Sequence, residues 1–534
     1  MPRLFCYFLS AWVTMFPFSF LNAQTPPAVE KEPIFDIRTF GAVGDGETLD
    51  TPAIQAAINA CAQTGGGRVM IPNGTFLSGT IYLKDHVDLH LAPSAVLKGS
   101  PVLTDYPTHP RALIRGDRVN NIAVSGRGTI NGNGDHANFR SDDMHNGIKG
   151  RPHLIRLTDC TRVKLKEFKA LNGAAWNLSL FRCDFVTVDD VHVFAQVVAN
   201  NDGLDLVDCH DCVVSNCVFD CGDDSICPKS DSQRMVKRLT ITNCIVKSQS
   251  NAIKFGTASV GGFEDVTISN CVLHDTRLSG IALEVVDGGV MDRIAIHNIT
   301  MHRVNGSIFV KIGKRKEGQE RSALRNVTIS NIVADGIGHW EADQESDYFK
   351  APHDARIGVT LAGQPGLPLE NITLSNISLQ FAGGGTEKDA AAEEFRDLRP
   401  KGYPEYHNFG VTPAYGINGR HINNLRLDNI TVGLHGDDAR AAVMLQDVRT
   451  VHLDALKASV TAKAPAFVRL KDAEDIFVTQ CKPQASDVPF VAFEGDCRDV
   501  SLLNNDFSKL KEIYRSSETV STAEIKTSGN LAPQ

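Results

Sequence analysis

Two acidic motifs are spaced so that they could share one reaction. Asn200-Asn201-Asp202-Gly203-Leu204-Asp205 is followed by Cys221-Gly222-Asp223-Asp224-Ser225, and Asp202 precedes the aspartate pair by 21 and 22 residues. In a chain that coils with a similar period, all three carboxylates meet on one face. Carboxylates that close repel, and at least one keeps its proton above the usual range. Such a site holds one acid protonated beside an ionised base, as general acid–base catalysis requires. The same residue types also serve solenoid corners, because Asn and Asp tolerate left-handed backbone, and clustered carboxylates suit calcium. The elements that carry them decide between these readings.

Those elements repeat. An alternating pattern, apolar at every second position and usually closed by Asn or Asp, recurs as VKLKEF at 163, VTVDDV at 186, CVVSNC at 212, LTITNC at 239 and VTISNC at 266. It continues as IAIHNI at 294, VTISNI at 327, ITLSNI at 372 and LRLDNI at 425, with weaker copies at 451, 476 and 500. The intervals are 23, 26, 27, 27, 28, 33, 45, 53, 26, 25 and 24 residues. Alternation over five residues is a strand with one buried face, and a period near 25 residues is a solenoid. Three short strands per coil fill that length, which makes the chain an all-β parallel β-helix. Stacked at one corner, the recurrent Asn can bond the coils above and below. Cys183, Cys217, Cys244 and Cys271 are expected to stack inward as small apolar fillers. The coils of 33, 45 and 53 residues carry long loops of the kind that wall a binding site.

The ends fit the same plan. Asp50 or Thr51 can cap a helix with Pro52 in its first turn; Ile54, Ile58 and Cys61 share a face, and Gly65-Gly66-Gly67 ends it. Such a helix would cover the open end of the solenoid. Residues 1–23 read as a signal peptide, with Arg3, an uncharged run over 4–21 and Leu21-Asn22-Ala23 before the cut. A linker over 24–34, the β-helix over 35–515 and a polar, frayed tail over 516–534 follow. No later stretch is long enough to cross a bilayer, so the mature protein is expected to be secreted or periplasmic.

The formal net charge of −9 argues against nucleic acid as partner. Thirteen Cys are present, of which Cys6 leaves with the leader. The crowding of Cys209, Cys212, Cys217, Cys221 and Cys227 lacks paired CxxC units, so buried thiols with one or two disulfides are expected rather than zinc.

These motifs resemble those of the polygalacturonase-like glycoside hydrolases, family 28, whose members carry N-x-D, G-D-D, G-H-G and R-I-K on successive coils. Asn200-Asn201-Asp202 matches the first and Gly222-Asp223-Asp224 the second. FGAVGDGETLDTPAIQAAINAC near the N-terminus and VSGRGTINGNG at 124 resemble the family's opening, and YPEYHNFG at 403 and PAYGINGRHINNL at 413 resemble bacterial members. The resemblance implies a right-handed single-stranded β-helix and inverting hydrolysis of a pectic polysaccharide or oligosaccharide. Asp223 would be the acid, and Asp202 and Asp224 would activate water; spacing alone does not say which of the pair is the acid. It implies no cofactor or metal, and the protein is expected to be a monomer without a membrane partner. Two motifs depart. Asn251 takes the histidine's place in Ser250-Asn251-Ala252, and Ala282-Leu283-Glu284 stands where R-I-K would hold a galacturonate carboxylate. Asn200, Lys229, Asn251, Lys254 and Glu284 are therefore the candidate substrate-binding residues. A calcium-dependent pectate-lyase-like enzyme and a non-catalytic glycan-binding β-helix are the competing readings of the same fold.

Overall fold

The computed structural model describes residues 33–140, 150–315, 321–339, 356–484, 486–517 and 525–532. The expected signal peptide, and the linker up to residue 32, lie outside these described residues.

The chain winds into a right-handed parallel β-helix. One residue per coil fixes the register. Val163, Val186, Cys212, Leu239, Val266, Ile294, Val327, Ile372, Leu425, Val451, Ile476, Val500 and Ile525 stand opposite one another in turn. Up to Val500 these are the first apolar positions of the sequence repeat. Alternation sends them and every second neighbour inward, so a single apolar core runs the length of the coil. The intervening residues face water. A one-residue slip would expose the whole inward set, and so the register is strongly specified.

The recurrent Asn sits at the corner after this strand. Asn216, Asn243, Asn270, Asn298, Asn331, Asn376 and Asn429 all have φ between 52° and 57°, a conformation Asn tolerates better than other non-glycine residues. Their amides form a ladder: Asn298 donates to Asn270 at 3.1 Å, Asn331 to Asn298 at 3.1 Å and Asn429 to Asn376 at 2.9 Å.

The twelve cysteines of the described residues are buried free thiols, with no disulfide among them. The four expected to stack together, Cys183, Cys217, Cys244 and Cys271, fall in two columns rather than one. The Cys183 N–H donates to Cys209 Sγ at 3.4 Å, whereas Cys217, Cys244 and Cys271 stand at the opposite end of their strands, each just ahead of paired Val218, Ile245 and Val272. Cys183 therefore belongs to a different stack from the other three.

Helix α1, Thr51–Gln63, closes the N-terminal end with Ile54, Ala57, Ile58 and Cys61 buried. Asp50 occupies its N-cap position but makes no side-chain cap bond. Its carboxylate instead accepts from the backbone N–H groups of Val43 at 2.7 Å and Gly44 at 3.1 Å, which ties the preceding loop to the helix start.

At the other end the boundary expected at 515 falls short. Ile525–Ser528 adds a further strand against Arg498–Leu503, with Val500 opposite Ile525. An outermost strand needs only backbone pairing on one edge, so its polar sequence carried no alternating signal.

Candidate active site

Four successive strands build the site's floor: Leu178–Phe181, Leu204–Val207, Ile226–Lys229 and Ile253–Phe255. Each follows a corner, and the corners carry the acidic motifs. The corners are stitched to one another. Asp223 N–H donates to Asn201 O at 3.3 Å, Gly203 N–H to Asp224 O at 3.0 Å and Ser225 N–H to Asn251 O at 3.0 Å. Asp202 thus lies between Asp223 and Asp224 on the adjacent coil, as the one-coil offset predicts. A Cβ at Gly203 would stand 2.3 Å from Ser225 O, so only glycine lets the two motifs approach this closely. Buried Asn201 pins its corner: Oδ1 accepts from Val197 and Val198 N–H, both at 3.0 Å, and Nδ2 donates to Gly173 O at 2.7 Å.

The environments of the three aspartates push their acidities apart. Burial, reinforced by Asp202 and Asp224, holds the Asp223 carboxyl well above the usual carboxylate range. Asp224 goes the other way. Burial opposes its ionisation, but Lys254 at 3.3 Å, Lys229, and donated hydrogen bonds from Asn251 Nδ2 and Ser250 Oγ, both at 2.8 Å, outweigh it and bring its pKa below the usual value. Burial and the neighbouring Asp205 push Asp202 up to about 8 against the pull of Lys229, 3.1 Å away. A protonated acid beside an ionised base is the division of labour that acid–base hydrolysis uses.

The substrate-binding candidates fall on this patch in different roles. Lys229 bridges Asp202 and Asp205 and lies 4.3 Å from the centre of the Trp176 ring. Lys254 is buried and bridges Asp224 and Glu405, the latter at 3.0 Å. Asn251 faces Asp224. Asn200, with φ of 56°, accepts from Arg151 at 3.3 Å. Glu284 is fully buried, and neither carboxylate oxygen has a hydrogen-bond partner among the described residues. Burial holds its proton on well above the usual range.

Sequence reasoning passed over Asp205, Tyr403 and Glu405. Asp205 stands inside the first motif and is fully buried against Lys229. Tyr403 and Glu405 arrive from the 53-residue coil, 149 and 151 residues beyond Lys254. The length of that coil was the available signal. Among the described residues, no group of three or more His, Cys, Asp or Glu side chains is arranged to hold a metal ion.

The fold is a parallel β-helix, and its acidic corner is the candidate active site. The family model for glycosyl hydrolases family 28 matches residues 61–393, and the chain belongs to that family and is a glycosidase. A probable polygalacturonase of Vitis vinifera is 25% identical over 386 residues, covering 64% of this chain and 73% of the relative. The fold is shared with a hyperthermoactive exopolygalacturonase from Thermotoga maritima (TM-score 0.57, 22% identity, covering 67% of this chain and 88% of that one). It is also shared with the family 28 exopolygalacturonase of Yersinia enterocolitica (TM-score 0.59, 18% identity, covering 84% and 78%).

Proposed function

We propose that this protein cleaves a pectic polysaccharide, of galacturonan or rhamnogalacturonan type, by inverting hydrolysis. The observation that carries the reading is the meeting of Asp202 with Asp223 and Asp224 on adjacent coils, where Asn251, Ser250 and Lys254 hold the Asp224 carboxylate. Asp223, partly exposed at the corner, donates its proton to the glycosidic oxygen as the bond to the anomeric carbon breaks. Asp224, with Asp202 beside it, takes a proton from the water that attacks that carbon from the opposite face. The water's oxygen ends on the anomeric carbon with inverted configuration, and the two carboxyls have exchanged protonation states. Inversion calls for an acid–base separation of roughly 6.5–9.5 Å, which leaves room for that water.

The polygalacturonase names among the relatives support a pectic substrate. The residues support a variant of it. Ala282 and Glu284 stand in the places of the expected Arg and Lys, and Lys229 and Lys254 are each already paired with two carboxylates. Both positions are buried and offer no cation to a uronate, which favours a rhamnogalacturonan over unbroken polygalacturonan. Export by the leader read in residues 1–23 places the enzyme where such polymers occur; a mature N-terminus at Gln24 would test this. Digestion of a pectic panel, with product sizes and the anomer of the first product followed by NMR, tests the reaction. Unsaturated, ultraviolet-absorbing products would establish a lyase instead, and a retained anomer would overturn the inverting mechanism.

A further inference from the structure

The strand that leads into the Asp223 corner, Val218–Cys221, belongs to a column of its own. Seven register steps carry that column from Val218 through Ile245, Val272, Thr300, Val333, Ser378 and Thr431 to Lys457. At a strand spacing of about 4.8 Å, Lys457 stands about 34 Å along the coil from the acidic corner. There the outward face of the sheet sinks into a recess of about 380 Å³, within the range of roughly 300–1,000 Å³ that small-ligand sites occupy. The dip has a cause in the sequence. Gly433 has no side chain, and Ser459, whose N–H donates to Val432 O at 3.1 Å from the adjacent coil, has a small one. A Cβ at Gly433 would stand 2.2 Å from Gln380 Oε1, so the glycine lets the Gln380 amide lie against the floor.

Every ionisable side chain that lines the recess is a lysine: Lys457, Lys482 and Lys509. On a chain with a net charge of −9 this is a local reversal of sign. Lys457 and Lys482 each stand two residues beyond a left-handed corner, at Ala455 and Gln480, and so are neighbours on adjacent coils. Lys509 comes from the coil after. Among the described residues Lys457 and Lys509 have no ion pair, and Lys482 pairs with Asp506 at 2.8 Å, outside the lining. Between the lysines the lining is neutral and able to hydrogen-bond, with Gln380, Ser459 and Gln484. Gln484 is steadied by donating Nε2 to Val460 O at 3.3 Å. Ammonium groups set among amides and a hydroxyl match a carboxylate carried on a hydroxyl-rich ring, because the charge takes the strong bonds and the amides take the hydroxyls. That is the chemistry of a uronic acid. A nucleic acid fits less well, since no aromatic ring in the lining offers a base a surface to stack on.

We propose that this recess is a second, non-catalytic binding site that holds a uronate-bearing stretch of polysaccharide, with the lysines on the carboxylate and the amides on the ring hydroxyls. The choice of a uronate rests on the pectic reading above, and the experiment separates the two. A polymer held here keeps other stretches of the same chain near the acidic corner and raises their effective concentration there, whereas a trisaccharide is too short to reach both places. Full-length Asp223→Asn protein, which leaves the ligand intact, is labelled with acetic anhydride and its lysines are read by mass spectrometry. Trigalacturonate and polygalacturonan are each expected to protect Lys457, Lys482 and Lys509 while exposed Lys463 is labelled as before. Carboxyl-reduced polygalacturonan, which is neutral, should protect none of them. Absence of protection at the three lysines, equal protection of Lys463, or equal protection by the neutral polymer would overturn the site. Double-stranded DNA that protects as well as polygalacturonan would overturn the uronate. In the active enzyme, Lys457→Gln, Lys482→Gln and Lys509→Gln together should raise KM for a pectic polymer about tenfold, the equivalent of about 1.4 kcal/mol, and leave kcat/KM for its trisaccharide unchanged. An unaltered KM for the polymer, or an equal loss on the trisaccharide, would overturn the tether. If wild type cleaves no pectic substrate, the hydrolase reading fails and the labelling alone decides the site: protection confined to the three lysines supports it, and its absence overturns it.

Discussion

Asn251 donates through Nδ2 to Asp224 Oδ1 at 2.8 Å, and its backbone N–H reaches the same oxygen at 3.2 Å. An amide does not titrate, so this support for the Asp224 carboxylate is the same at every working pH. A histidine in that place would offer a second donor only when protonated. Removing the side chain in Asn251→Ala deletes one bond to a charged acceptor, an effect on the order of 1.5–3 kcal/mol. The Asp224 pKa should therefore rise by roughly one to two units, and the acid limb of the kcat/KM profile should move up with it. An acid limb that stays in place would show that Lys254 and Ser250 alone hold the ionised form.

The alkaline limb belongs to a different residue. Asp223 must be protonated to act and is held so above the usual range; Asp224 must be ionised and is held so below it. Activity is lost as pH falls through the lowered pKa and as it rises through the raised one, so the profile is a broad plateau. Asp223→Asn keeps the shape and removes the proton donor. It should cost about 10²–10⁴ in kcat, with a melting temperature no lower than that of wild type.

Glu284 gives a stability prediction with a definite sign. Its folded-state pKa is raised, so between the unfolded and folded values the native protein binds a proton that the unfolded chain has released. Stability therefore falls as pH rises through that window. Glu284→Gln removes this dependence. The two proteins should unfold alike near pH 4, and the variant should gain on wild type as pH rises, at no more than about 1.4 kcal/mol per pH unit. Denaturant midpoints at pH 4, 6 and 8 measure it, and parallel curves would contradict a protonated Glu284.

Substrate preference follows from the cations. Charge-assisted bonds to a uronate are each worth on the order of 1.5–3 kcal/mol, and the residues at 282 and 284 supply neither of the two expected. Initial rates on polygalacturonan should be at least about tenfold below those on rhamnogalacturonan fragments, with Asp223→Asn as the inactive control. Faster turnover of polygalacturonan than of every rhamnose-containing substrate would mean that Lys229 or Lys254 leaves its carboxylates to bind the sugar.

The β-helix was legible because its period and its strand alternation are both local. Val163 to Val500 form one register column, and their spacing could be read directly from the chain. The meeting of Asp202 with Asp223 and Asp224 was legible for the same reason, since one coil separates them. Contacts made by the long loop were not. Nothing near Lys254 in sequence announces Glu405, because the pair is closed by tertiary packing of Phe395, Tyr406 and Phe409. Side-chain duties at turns were equally hidden: Asp50 looks like a helix cap, yet its carboxylate is drawn to the two N–H groups of the preceding loop. The cysteines were read as inward-facing, but only the strand register assigns Cys183 to a separate column from Cys217.

The asparagine ladder works as an index mark. Asn376 and Asn429 are 53 residues apart in sequence and bond each other at 2.9 Å, as neighbours one ordinary coil apart do elsewhere. However much chain is spliced between two marks, the strand that re-enters is brought back to the same position. That tolerance lets the region between Phe381 and Ala414 depart from the coil, cross the outer face and return without disturbing the strands that follow. Such a scaffold can exchange its walls while keeping its acid and base fixed, and new specificities in it should arise by insertion at these corners before substitution in the strands.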